Sequence, residues 1–464
     1  MAEKVSINEL NIQFDYATKV RELLGNDKKA FTHTYGCQGN VADGEHINGL
    51  LQMMGYTFVT DPSKADFILF NTCAVRENAE NRVFGNVGLL KKFKEINSDL
   101  IICLCGCMVQ QEHVLKHIKK SYPYVDIIFG THVLHTLPEL IYNHLTSGKR
   151  VFSTPSSDGI IAEGLPIKRT NKLKAFLPIS YGCNNFCTYC VVPLVRGRER
   201  SRAYEDILKE AKEIVAAGYK EIMLLGQNVN SYGNDFGEEN LFSKLLKEIN
   251  AISGDFIIRF MTSHPKDCSK SLIDTIAECE KVERHLHLPF QSGNDRILSA
   301  MNRHYDRAHY LEIVNYAKEK MPDIAITSDV IVGFPGETYE EFLDTIKLIR
   351  EVKFSSLYMF IFSPREGTKA ALMKNPISDK EKSAWFSELQ KAQEEVAYER
   401  SQKMKGKVYR ALVEGRNKSG KLFGRTSQNI MIDFDGDDEL IGTFQNVKVE
   451  EPLTWILKGT LFNI

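Results

Sequence analysis

The chain has 464 residues, more than a single hydrophobic core supports, so about three domains are expected. Lys and Arg balance Asp and Glu to a formal net charge of -1, which excludes a bulk electrostatic attraction to RNA or to an anionic membrane. No apolar run is long enough to cross a bilayer, and residues 1–16 hold no apolar signal-peptide segment. We therefore expect a cytoplasmic location and no membrane partner.

The segment 29–145 alternates short apolar runs with helical stretches, a pattern typical of a parallel α/β sheet. The predicted strands are 31–34, 67–70, 101–104 and 125–129, and the predicted helices include 43–54 and 111–119. In such sheets, ligands gather at the loops that follow the carboxyl ends of the strands. Cys37, Cys73 and Cys107 each follow such an end, so they are expected at one edge of the sheet.

Between residues 146 and 174 the periodicity fades and Gly, Ser, Pro and Lys dominate, which predicts a linker. A second α/β repeat follows, with a helix at 204–217 whose apolar residues recur at helical spacing. Its predicted strands are 176–179, 221–225, 256–260, 285–288, 324–332 and 356–361. Six strand-helix units predict a partial or complete barrel.

The last part of the chain has a different pattern of polar and apolar residues. A long polar helix at 378–403 is followed by short strands parted by Gly, Asn and Asp, at 408–413, 430–434, 446–449 and 453–457. This pattern predicts a separate, small antiparallel β-barrel. The expected fold class is thus α/β, with an N-terminal parallel sheet, a central barrel and a C-terminal β module.

Ten cysteines in a chain without an export signal favour metal or redox chemistry over disulfides, because the cytosol keeps thiols reduced. Six lie in conspicuous motifs: Cys37, Cys73, Cys107, Cys183, Cys187 and Cys190. The other four, Cys103, Cys105, Cys268 and Cys279, are interpreted as small buried apolar residues.

The first motif is Ser180-Tyr-Gly-Cys-Asn-Asn-Phe-Cys-Thr-Tyr-Cys190, which spaces three thiols as C-x3-C-x2-C after the first barrel strand. Three thiolates hold three irons of a 4Fe-4S cluster and leave the fourth iron without a protein ligand. Such an open iron can chelate the amino and carboxylate groups of S-adenosylmethionine. The alternatives are coincidental cysteines or a zinc site, which would need a fourth Cys or His that the neighbouring sequence lacks.

The N-terminal cysteines lie in three motifs: Tyr35-Gly-Cys-Gln-Gly-Asn40, Asn71-Thr-Cys-Ala-Val-Arg76 and Gly106-Cys-Met-Val-Gln110. If the sheet is parallel, these loops open on the same edge and the thiols converge on a second 4Fe-4S cluster. Its open iron can hold a sulfur species awaiting transfer. The alternatives are three unrelated buried cysteines, or Cys103 or Cys105 as the third ligand; Cys107 is preferred because only it lies past the strand end.

The C-x3-C-x2-C loop resembles that of the radical S-adenosylmethionine superfamily, and the resemblance extends through the barrel. It implies that Gly226, Gln227 and Asn228, after the second strand, contact the amino group of the cosubstrate. Ile331-Val-Gly-Phe-Pro-Gly-Glu337 resembles the adenine-binding segment, with Ile331 and Gly333 as contacts. Gln291 and Ser292 are assigned to the same pocket, which His285 and His287 either line or support from a hydrogen-bonded barrel interior.

Taken together, the three parts resemble the methylthiotransferase family, and within it the MiaB branch, the tRNA 2-methylthio-N6-dimethylallyladenosine synthases. The resemblance implies an auxiliary-cluster domain at 27–146, a radical S-adenosylmethionine barrel at 169–400 and a TRAM-like RNA-binding domain at 401–464. The residues that carry it are Asn71-Thr-Cys-Ala-Val-Arg-Glu-Asn-Ala-Glu80, Tyr181 to Cys190 continuing into Arg196-Gly-Arg-Glu-Arg-Ser-Arg202, and Leu225-Gly-Gln-Asn-Val-Asn-Ser-Tyr232.

This resemblance implies methylthiolation of C2 of N6-dimethylallyladenosine at position 37 of tRNA, with two 4Fe-4S clusters and two molecules of S-adenosylmethionine. The cofactors carry the chemistry, so no catalytic side chain is assigned. The expected partners are the tRNA anticodon loop, an electron donor and a sulfur source, and the chain is expected to be a monomer. Alternatives are the same reaction on threonylcarbamoyl-adenosine or a ribosomal-protein aspartate, or a noncatalytic iron-sulfur RNA-binding protein.

Local basic clusters are the candidates for phosphate contacts. Arg196, Arg198, Arg200 and Arg202 follow the cluster loop, and they serve either phosphates or structural ion pairs. In the C-terminal module a basic stretch precedes an acidic turn at 433–439, which predicts one basic and one acidic face. Its basic residues are Lys403, Lys405, Lys407, Arg410, Arg416, Lys418, Lys421 and Arg425.

Overall fold

The computed structural model describes residues 4–25, 27–74, 77–155 and 159–462, with only the backbone described at 77–79. Val75 and Arg76 of the second cysteine motif therefore lie outside the described residues. The chain forms two compact units. Unit 1 comprises Met1–Thr170, Ser180–Asn184 and Cys190–Arg202, and unit 2 comprises Asn171–Ile179, Asn185–Tyr189 and Ala203–Ile464.

Unit 1 is built on a six-stranded parallel sheet of order β2-β1-β3-β4-β5-β6. Its elements are α1 (Ile7–Leu24), β1 (Lys29–Thr34), α2 (Gln38–Met53), β2 (Thr57–Phe58), β3 (Phe67–Thr72), α3 (Glu77–Ile96), β4 (Ile101–Gly106), α4 (Glu112–Ser121), β5 (Ile127–Phe129), α5 (Leu137–Ser147) and β6 (Val151–Ser153). The parallel sheet is confirmed, and all four predicted strands are present. β6 lies in the segment that was predicted to be a linker, so that prediction is wrong for its first residues.

The central strands β3 and β4 are apolar along their length and buried on both faces, as parallel strands covered by helices are. Successive side chains point to opposite faces, so Phe67 and Leu69 pack into one apolar cluster while Ile68 and Phe70 pack into another. Helices on both sides complete these two cores. The sheet is therefore rigid at the edge where the cysteine loops begin.

The helix α1 was not predicted from the sequence, because its apolar residues are not confined to one face. Leu10, Ala17 and Val20 are buried, whereas Ile7, Ile12 and Leu23 are exposed. The Ser6 hydroxyl accepts a hydrogen bond from the Glu9 amide and caps the first turn. Packing against α5, rather than intrinsic propensity, stabilises this helix.

Unit 1 also holds three short elements from the segment 180–202: β8 (Ser180–Tyr181), α6 (Val192–Arg196) and β9 (Arg200–Ser201), of which β8 and β9 pair antiparallel.

Unit 2 begins with β7 (Lys174–Pro178). Its barrel continues with α7 (Tyr204–Ala216), β10 (Glu221–Leu225), α8 (Leu241–Ala251), β11 (Ile257–Phe260), α9 (Lys270–Glu278), β12 (His285–His287), α10 (Asp295–Ala300), α11 (Arg307–Lys320), β13 (Ala325–Val332), α12 (Tyr339–Val352), β14 (Ser356–Ile361) and α13 (Asp379–Gln402).

The six barrel strands form two parallel three-stranded sheets, β11-β10-β7 and β12-β13-β14. A parallel bridge between Ile258 and Val282 joins the two. Among the described residues β7 and β14 do not pair, so the barrel is partial. The loops after the carboxyl ends of all six strands consequently share one rim of the barrel.

The C-terminal module of unit 2 is a closed five-stranded barrel of order β15-β16-β17-β19-β18. Its strands are β15 (Val408–Arg416), β16 (Leu422–Thr426), β17 (Met431–Phe434), β18 (Phe444–Pro452) and β19 (Ile456–Leu461). The small barrel is confirmed, although β17 and β19 pair parallel where all pairs were expected to be antiparallel. In the part of the chain that the structure describes, no helix is both long and apolar enough to span a membrane.

A buried charge cluster holds the two barrels of unit 2 together. Arg259, only 3% exposed, pairs through Nε with Glu221 at 3.2 Å and through Nη2 with Glu283 at 3.0 Å. Nη2 also donates to the carbonyl oxygen of Thr426 in β16, at 3.0 Å. One guanidinium thus neutralises two buried carboxylates and anchors the C-terminal module.

Replacing Arg259 with Gln should lower the free energy of unfolding by about 3–5 kcal/mol, because it removes the ion pair of buried Glu283 and leaves buried Glu221 with only Lys174, at 3.7 Å. Urea unfolding followed by tryptophan fluorescence measures the change. The control is Arg350→Gln, because Arg350 and Glu395 form an exposed pair at 3.8 Å, and its loss should cost only about 0–1 kcal/mol. Equal unfolding midpoints for the two variants would contradict a structural role for the buried cluster.

Candidate metal centres

The thiols of the N-terminal motifs converge at the carboxyl edge of the unit 1 sheet, as predicted. Cys37 follows β1 and begins α2, Cys73 follows β3, and Cys107 follows β4. The Oδ1 atom of Asn40 lies 3.5 Å from Cys37 Sγ and 3.7 Å from Cys107 Sγ. A Cβ on Gly36, whose φ is +113°, would lie 2.8 Å from Cys73 Sγ, so the backbone beside Cys37 touches Cys73 directly.

Asn40 fixes this arrangement from a fully buried position. Its Nδ2 donates to the carbonyl oxygen of Thr72 at 2.8 Å, and its own carbonyl oxygen accepts from Asn71 Nδ2 at 2.7 Å. Gly106 has φ +95°, and a Cβ there would lie 2.4 Å from the Thr72 carbonyl oxygen, so only glycine allows the chain to turn tightly into Cys107. The three loops are therefore bound to one another by backbone and amide contacts.

A buried guanidinium, which no sequence pattern marked as part of the site, completes it. Arg196 Nε donates to Cys107 Sγ at 3.1 Å, and Nη2 donates to Asn40 Oδ1 at 2.9 Å and to Asp43 Oδ2 at 2.7 Å. Arg196 is 6% exposed and is the last residue of α6. Of the two alternatives for Arg196, phosphate contact or structural ion pair, the structure supports the second, because its donors face Asp43 and the thiol site.

The other arginines of this segment divide in the same way. Arg200 and Arg202 are buried, with Arg200 donating to the carbonyl oxygens of Arg196 and Arg198 and Arg202 pairing with both carboxylate oxygens of Glu163 at 2.7 Å. Only Arg198 is exposed. Arg196, Arg200 and Arg202 are therefore structural, and Arg198 is the exposed arginine of the four.

Packing, and not burial, separates Cys107 from the other two cysteines of β4 and its end, because all three are buried but only Cys107 contacts Arg196. Burial raises the pKa of the Cys107 thiol to about 12, and the neighbouring Arg196 charge opposes that rise. Cys103 and Cys105 lie within β4 and point into the apolar core, where burial raises the pKa of each thiol well above its usual range. The structure thus places Cys107, and not the earlier pair, at the site.

The C-x3-C-x2-C segment has its two outer thiols in unit 1. There the Cys183 amide donates to the Gly197 carbonyl oxygen at 3.2 Å, and the Glu199 amide donates to Asn184 Oδ1 at 3.2 Å. Cys190 directly precedes the turn that starts α6. A Cβ on Gly182, at φ +74°, would lie 2.0 Å from the Arg198 carbonyl oxygen, so this position requires glycine.

The central thiol, Cys187, belongs to unit 2 and is buried there. Arg303 Nη1 lies 3.4 Å from Cys187 Sγ, while Arg303 Nη2 donates to the Pro289 carbonyl oxygen at 2.8 Å. The amide of Thr188 donates to the Met301 carbonyl oxygen at 3.0 Å. Arg303 was not predicted from the sequence, because it lies more than a hundred residues from the cysteine motif and no local pattern marks it.

The predicted cosubstrate residues all lie on the rim of the unit 2 barrel. Gly226 and Gln227 follow β10, and the Gly226 carbonyl oxygen accepts from the Thr262 hydroxyl at 2.7 Å. The side chain of Asn228 is engaged within the protein, because it donates to Asp267 at 2.6 Å and accepts from the His264 amide at 3.0 Å. Asn228 therefore shapes the loop instead of offering its amide to a ligand.

Of the remaining predicted contacts, Gln291 and Ser292 follow β12, Ile331 lies near the end of β13, and Gly333 follows β13. Gln291 has φ +65°, and its backbone bonds to Asp329 and Ile331 of β13 at 2.9 and 3.0 Å, while Ser292 is fully buried beside it. Ile331 is partly exposed. The amide of Gly333 donates to the buried Glu337 carboxylate at 2.7 Å, which closes the turn after β13.

The two histidines of β12 are structural. His285 Nε2 and His287 Nδ1 lie 2.8 and 3.0 Å from the Thr327 hydroxyl, and both rings are buried, so the hydrogen-bonded interior is the alternative that the structure supports. Nearby, burial and the Arg303 charge lower the pKa of His264 to about 2, so this ring is neutral. Its Nδ1 accepts from the Lys266 amide at 3.3 Å, which leaves the proton on Nε2.

The residues present fit an iron-sulfur cluster in unit 1. The thiols of Cys37 and Cys107 approach one buried asparagine, and the Cys73 thiol lies against the backbone of Gly36. A cationic donor lies beside Cys107, where it offsets the charge of a thiolate ligand. Within the described ranges no group of three or more His, Cys, Asp or Glu side chains is arranged to hold a single metal ion. In a 4Fe-4S cluster each thiolate binds a different iron, so its ligands stand further apart.

Three family models match the chain in the order of its parts. Residues 29–130 match a family described as "Uncharacterized protein family UPF0004", residues 177–349 match the radical SAM superfamily, and residues 402–462 match the TRAM domain. The barrel and its cysteine loop thus define a radical S-adenosylmethionine enzyme that carries a TRAM module.

Comparison with curated relatives shows to which family of radical S-adenosylmethionine enzymes the chain belongs. The chain is 51% identical to a protein of Alkaliphilus oremlandii over 94% of this chain and 93% of the relative, and 49% identical to one of Clostridium perfringens over 94% and 98%. A protein of Acetivibrio thermocellus is 47% identical over 98% and 97%. All three are named tRNA-2-methylthio-N(6)-dimethylallyladenosine synthase, and the chain belongs to this family.

Solved structures share the fold. The radical S-adenosylmethionine methyltransferase TsrM of Kitasatospora setae superposes with a TM-score of 0.56 at 12% identity, covering 75% of this chain and 77% of that one. The cobalamin-dependent S-adenosylmethionine radical enzyme OxsB superposes with a TM-score of 0.51 at 13% identity, covering 79% and 57%. At these identities the likeness concerns the fold alone.

Thiol labelling tests the placement of the cysteines. In folded protein prepared without iron, iodoacetamide should modify exposed Cys37 and partly exposed Cys183 and Cys190 well before buried Cys73 and Cys107, because alkylation needs an accessible thiolate. Mass spectrometry of peptides over time measures the order, with urea-unfolded protein as the control in which all thiols react alike. Equal rates for Cys107 and Cys37 in the folded protein would contradict the buried site beside Arg196.

Proposed function

We propose that this chain replaces the hydrogen at C2 of N6-dimethylallyladenosine, at position 37 of tRNA, with a methylthio group. The observation that carries the proposal is the convergence of Cys37, Cys73 and Cys107 in unit 1 of a radical S-adenosylmethionine enzyme, which gives it a second thiol triad. The shared name of relatives that match nearly the whole chain supports the choice of substrate.

Each triad holds one 4Fe-4S cluster: Cys183, Cys187 and Cys190 hold the first, and Cys37, Cys73 and Cys107 hold the auxiliary one. When bound, the first cluster supplies an electron for reductive cleavage of S-adenosylmethionine, and the auxiliary cluster supplies a binding place for the sulfur that is methylated and transferred. Each triad offers three thiolates and leaves one iron open to an exogenous ligand.

The protein supplies position and a dry environment. Arg303 ties the Cys187 thiol to the Pro289 carbonyl oxygen, so the loop that carries Cys187 and the loop after β12 keep a fixed separation. Glu337 binds the Gly333 amide and so shapes the turn after β13. Such pre-organisation holds the reacting groups in place and excludes water that would quench a reactive radical.

The cosubstrate occupies the rim of the unit 2 barrel. Gly226 and Gln227 offer backbone and side-chain groups after β10. Ile331 presents apolar surface at the end of β13, and Gly333 presents backbone directly after it. Gln291 and Ser292 lie between these two loops in chain order and support the rim from buried positions. Asn228 acts indirectly, since its side chain holds the loop of His264 and Asp267.

The C-terminal module contributes tRNA affinity through a smaller basic set than the sequence predicted. Arg416 and Lys421 pair with Asp438 at 2.5 Å and Asp435 at 2.9 Å, so the basic and acidic faces are joined instead of separate. Three exposed lysines of the stretch form no ion pair with any described residue: Lys405, Lys407 and Lys418. These are the candidates for phosphate contacts.

Several further assignments complete the proposal. The three domains are 27–146, 169–400 and 401–464, and each contains most or all of one matching family model. The enzyme acts in the cytoplasm as a monomer, binds the anticodon loop of tRNA, and receives electrons from a donor and sulfur from a separate source. Nucleoside analysis of tRNA from a deletion strain, with and without the gene restored, tests the substrate directly.

Replacing the cysteines of one triad should affect the two activities differently from replacing those of the other. Replacing Cys183, Cys187 and Cys190 with Ala should abolish the formation of 5'-deoxyadenosine, because the electron donor to the cosubstrate is removed. Replacing Cys37, Cys73 and Cys107 should leave that activity and abolish the methylthio product. Iron and sulfide analysis with Mössbauer spectroscopy should show two clusters in the parent and one in each variant.

The matched control is Cys103→Ala with Cys105→Ala, since these thiols lie in β4 but point into the apolar core. It should retain both clusters and both activities. Methylthio product from the N-terminal triple variant would overturn the auxiliary role. Loss of the auxiliary cluster from the well-folded control would reassign the third ligand.

Replacing Lys405, Lys407 and Lys418 with Gln should weaken tRNA binding and lower the slope of log affinity against log salt by about 0.7–0.9 for each phosphate that the variant no longer neutralises. Formation of 5'-deoxyadenosine should not change. The control is a triple Gln variant of Lys421, Lys448 and Lys458, which are exposed but paired with Asp435, Glu450 and Glu451. A larger decrease in affinity for the control would exclude the three unpaired lysines as the phosphate contacts.

A further inference from the structure

We propose that Arg196 is a positioning residue for the auxiliary cluster, whose reduction potential it raises by donating a hydrogen bond to the Cys107 sulfur. This inference rests on the proposed function, because it takes Cys37, Cys73 and Cys107 as cluster ligands. Nothing in the sequence motif distinguishes Arg196 from its three arginine neighbours. The contact of 3.1 Å between Nε and Sγ does.

The direction of the effect follows from electrostatics. Hydrogen bonds to the sulfurs are among the factors that set the potential of an iron-sulfur cluster. Reduction adds a negative charge, and a cation that donates to a ligand sulfur stabilises the reduced state more than the oxidised one. Because Arg196 and Cys107 are both nearly inaccessible to water, solvent screens this interaction little.

The guanidinium is held so that this one donor faces the thiol. Its Nη2 is occupied by Asp43 at 2.7 Å and by Asn40 at 2.9 Å, and the Asp43 side chain is itself mostly buried, with 15% exposed. Asp43 also forms an ion pair with the guanidinium, so the buried positive charge has a counterion. The planar guanidinium of arginine has several donors in fixed positions, so it can bond the thiol, the carboxylate and the amide oxygen at the same time. A lysine ammonium lacks this geometry.

Apolar packing fixes the helix that carries Arg196. Val191 and Val195 pack with Ala74 and with Cys107 itself in a small buried cluster. The Thr131 hydroxyl donates to the Val195 carbonyl oxygen at 2.6 Å, which holds the end of α6. The distance from Nε to the sulfur is therefore set by the backbone of unit 1 and not by a mobile side chain.

A second contact of the same kind exists in unit 2, where Arg303 Nη1 lies 3.4 Å from Cys187 Sγ. Arg303 is also buried. Each triad thus has one thiol in contact with a buried guanidinium, and the two contacts belong to different arginines. This separation allows the two potentials to be altered independently.

The test is a redox titration of the holoenzyme, with both clusters present, followed by electron paramagnetic resonance. The signal that responds to added S-adenosylmethionine marks the first cluster, and the other signal marks the auxiliary cluster. In Arg196→Gln the ratio of reduced to oxidised auxiliary cluster at a fixed potential should fall about tenfold, which corresponds to about 59 mV for one electron. Arg196→Lys, which keeps the charge, should show a smaller fall.

Two controls accompany these variants. Arg202→Gln also removes a buried arginine of unit 1, one that pairs with Glu163, and should leave the auxiliary potential unchanged. Arg303→Lys should shift only the signal that responds to S-adenosylmethionine. The double variant Arg196→Gln with Asp43→Asn removes the carboxylate that would be left unpaired, and it should show a smaller fall in the same direction, because removing a nearby negative charge itself favours the reduced cluster.

The outcomes separate this inference from the proposed function. An unchanged auxiliary potential in Arg196→Gln, with both clusters retained, overturns the inference and leaves the proposed function standing. Loss of the auxiliary cluster from both Arg196 variants and from the double variant also overturns it, because Arg196 would then be required for cluster retention and not for potential. A parent protein with no auxiliary cluster would instead refute the proposed function.

Discussion

The parallel sheet of unit 1 places three distant thiols within reach of one another. Strands β1, β3 and β4 are adjacent and run in the same direction, with Thr34 opposite Asn71 and Thr72 opposite Gly106. The cysteines follow these paired ends by only one to three residues, so their separation is set by the spacing of about 4.8 Å between strands. Any change that shifts the register of β3 moves the middle thiol relative to both others.

This geometry imposes a cost that the surrounding residues offset. Three loops meeting at one point bury backbone groups, and Asn40 and Asn71 satisfy several of them through their amides. Three thiolates also concentrate negative charge, and the cation that faces them comes from the segment 190–202 of the chain. The site is therefore not a property of the N-terminal sheet alone, because its only described guanidinium contact is supplied by residues that follow the barrel's first strand.

The sequence predicted the parts of the fold that have strong periodicity. The parallel strands, the six barrel strands, α13 and the closed C-terminal barrel were all expected, because buried strands and long helices leave clear patterns. The helix α1, the short strand β6 and β16 of the C-terminal barrel were missed, because tertiary packing rather than local pattern stabilises them. For the site, the six cysteines were visible from spacing and strand ends, and Cys107 was separated from Cys105 by its position after β4.

Side chains that act across the fold were not predictable from local sequence. Arg196 and Arg202 occur in one basic run, yet the first faces a thiol and the second faces Glu163. Arg303 reaches Cys187 from a distant loop. Whether an arginine binds a phosphate, a carboxylate or a sulfur depends on which groups the completed fold places beside it, and a run of positive charge carries no information on that choice.

Unit 1 contains, besides the whole N-terminal triad, two thiols of the C-x3-C-x2-C motif. Cys190 and Arg196 are six residues apart, so their Cα atoms lie within about 21 Å even in an extended chain, and the turn of α6 shortens this distance. Val191 and Val195 between them pack against Cys107. The Cys190 thiol and the guanidinium that faces Cys107 are therefore carried by one short, well-packed segment of unit 1.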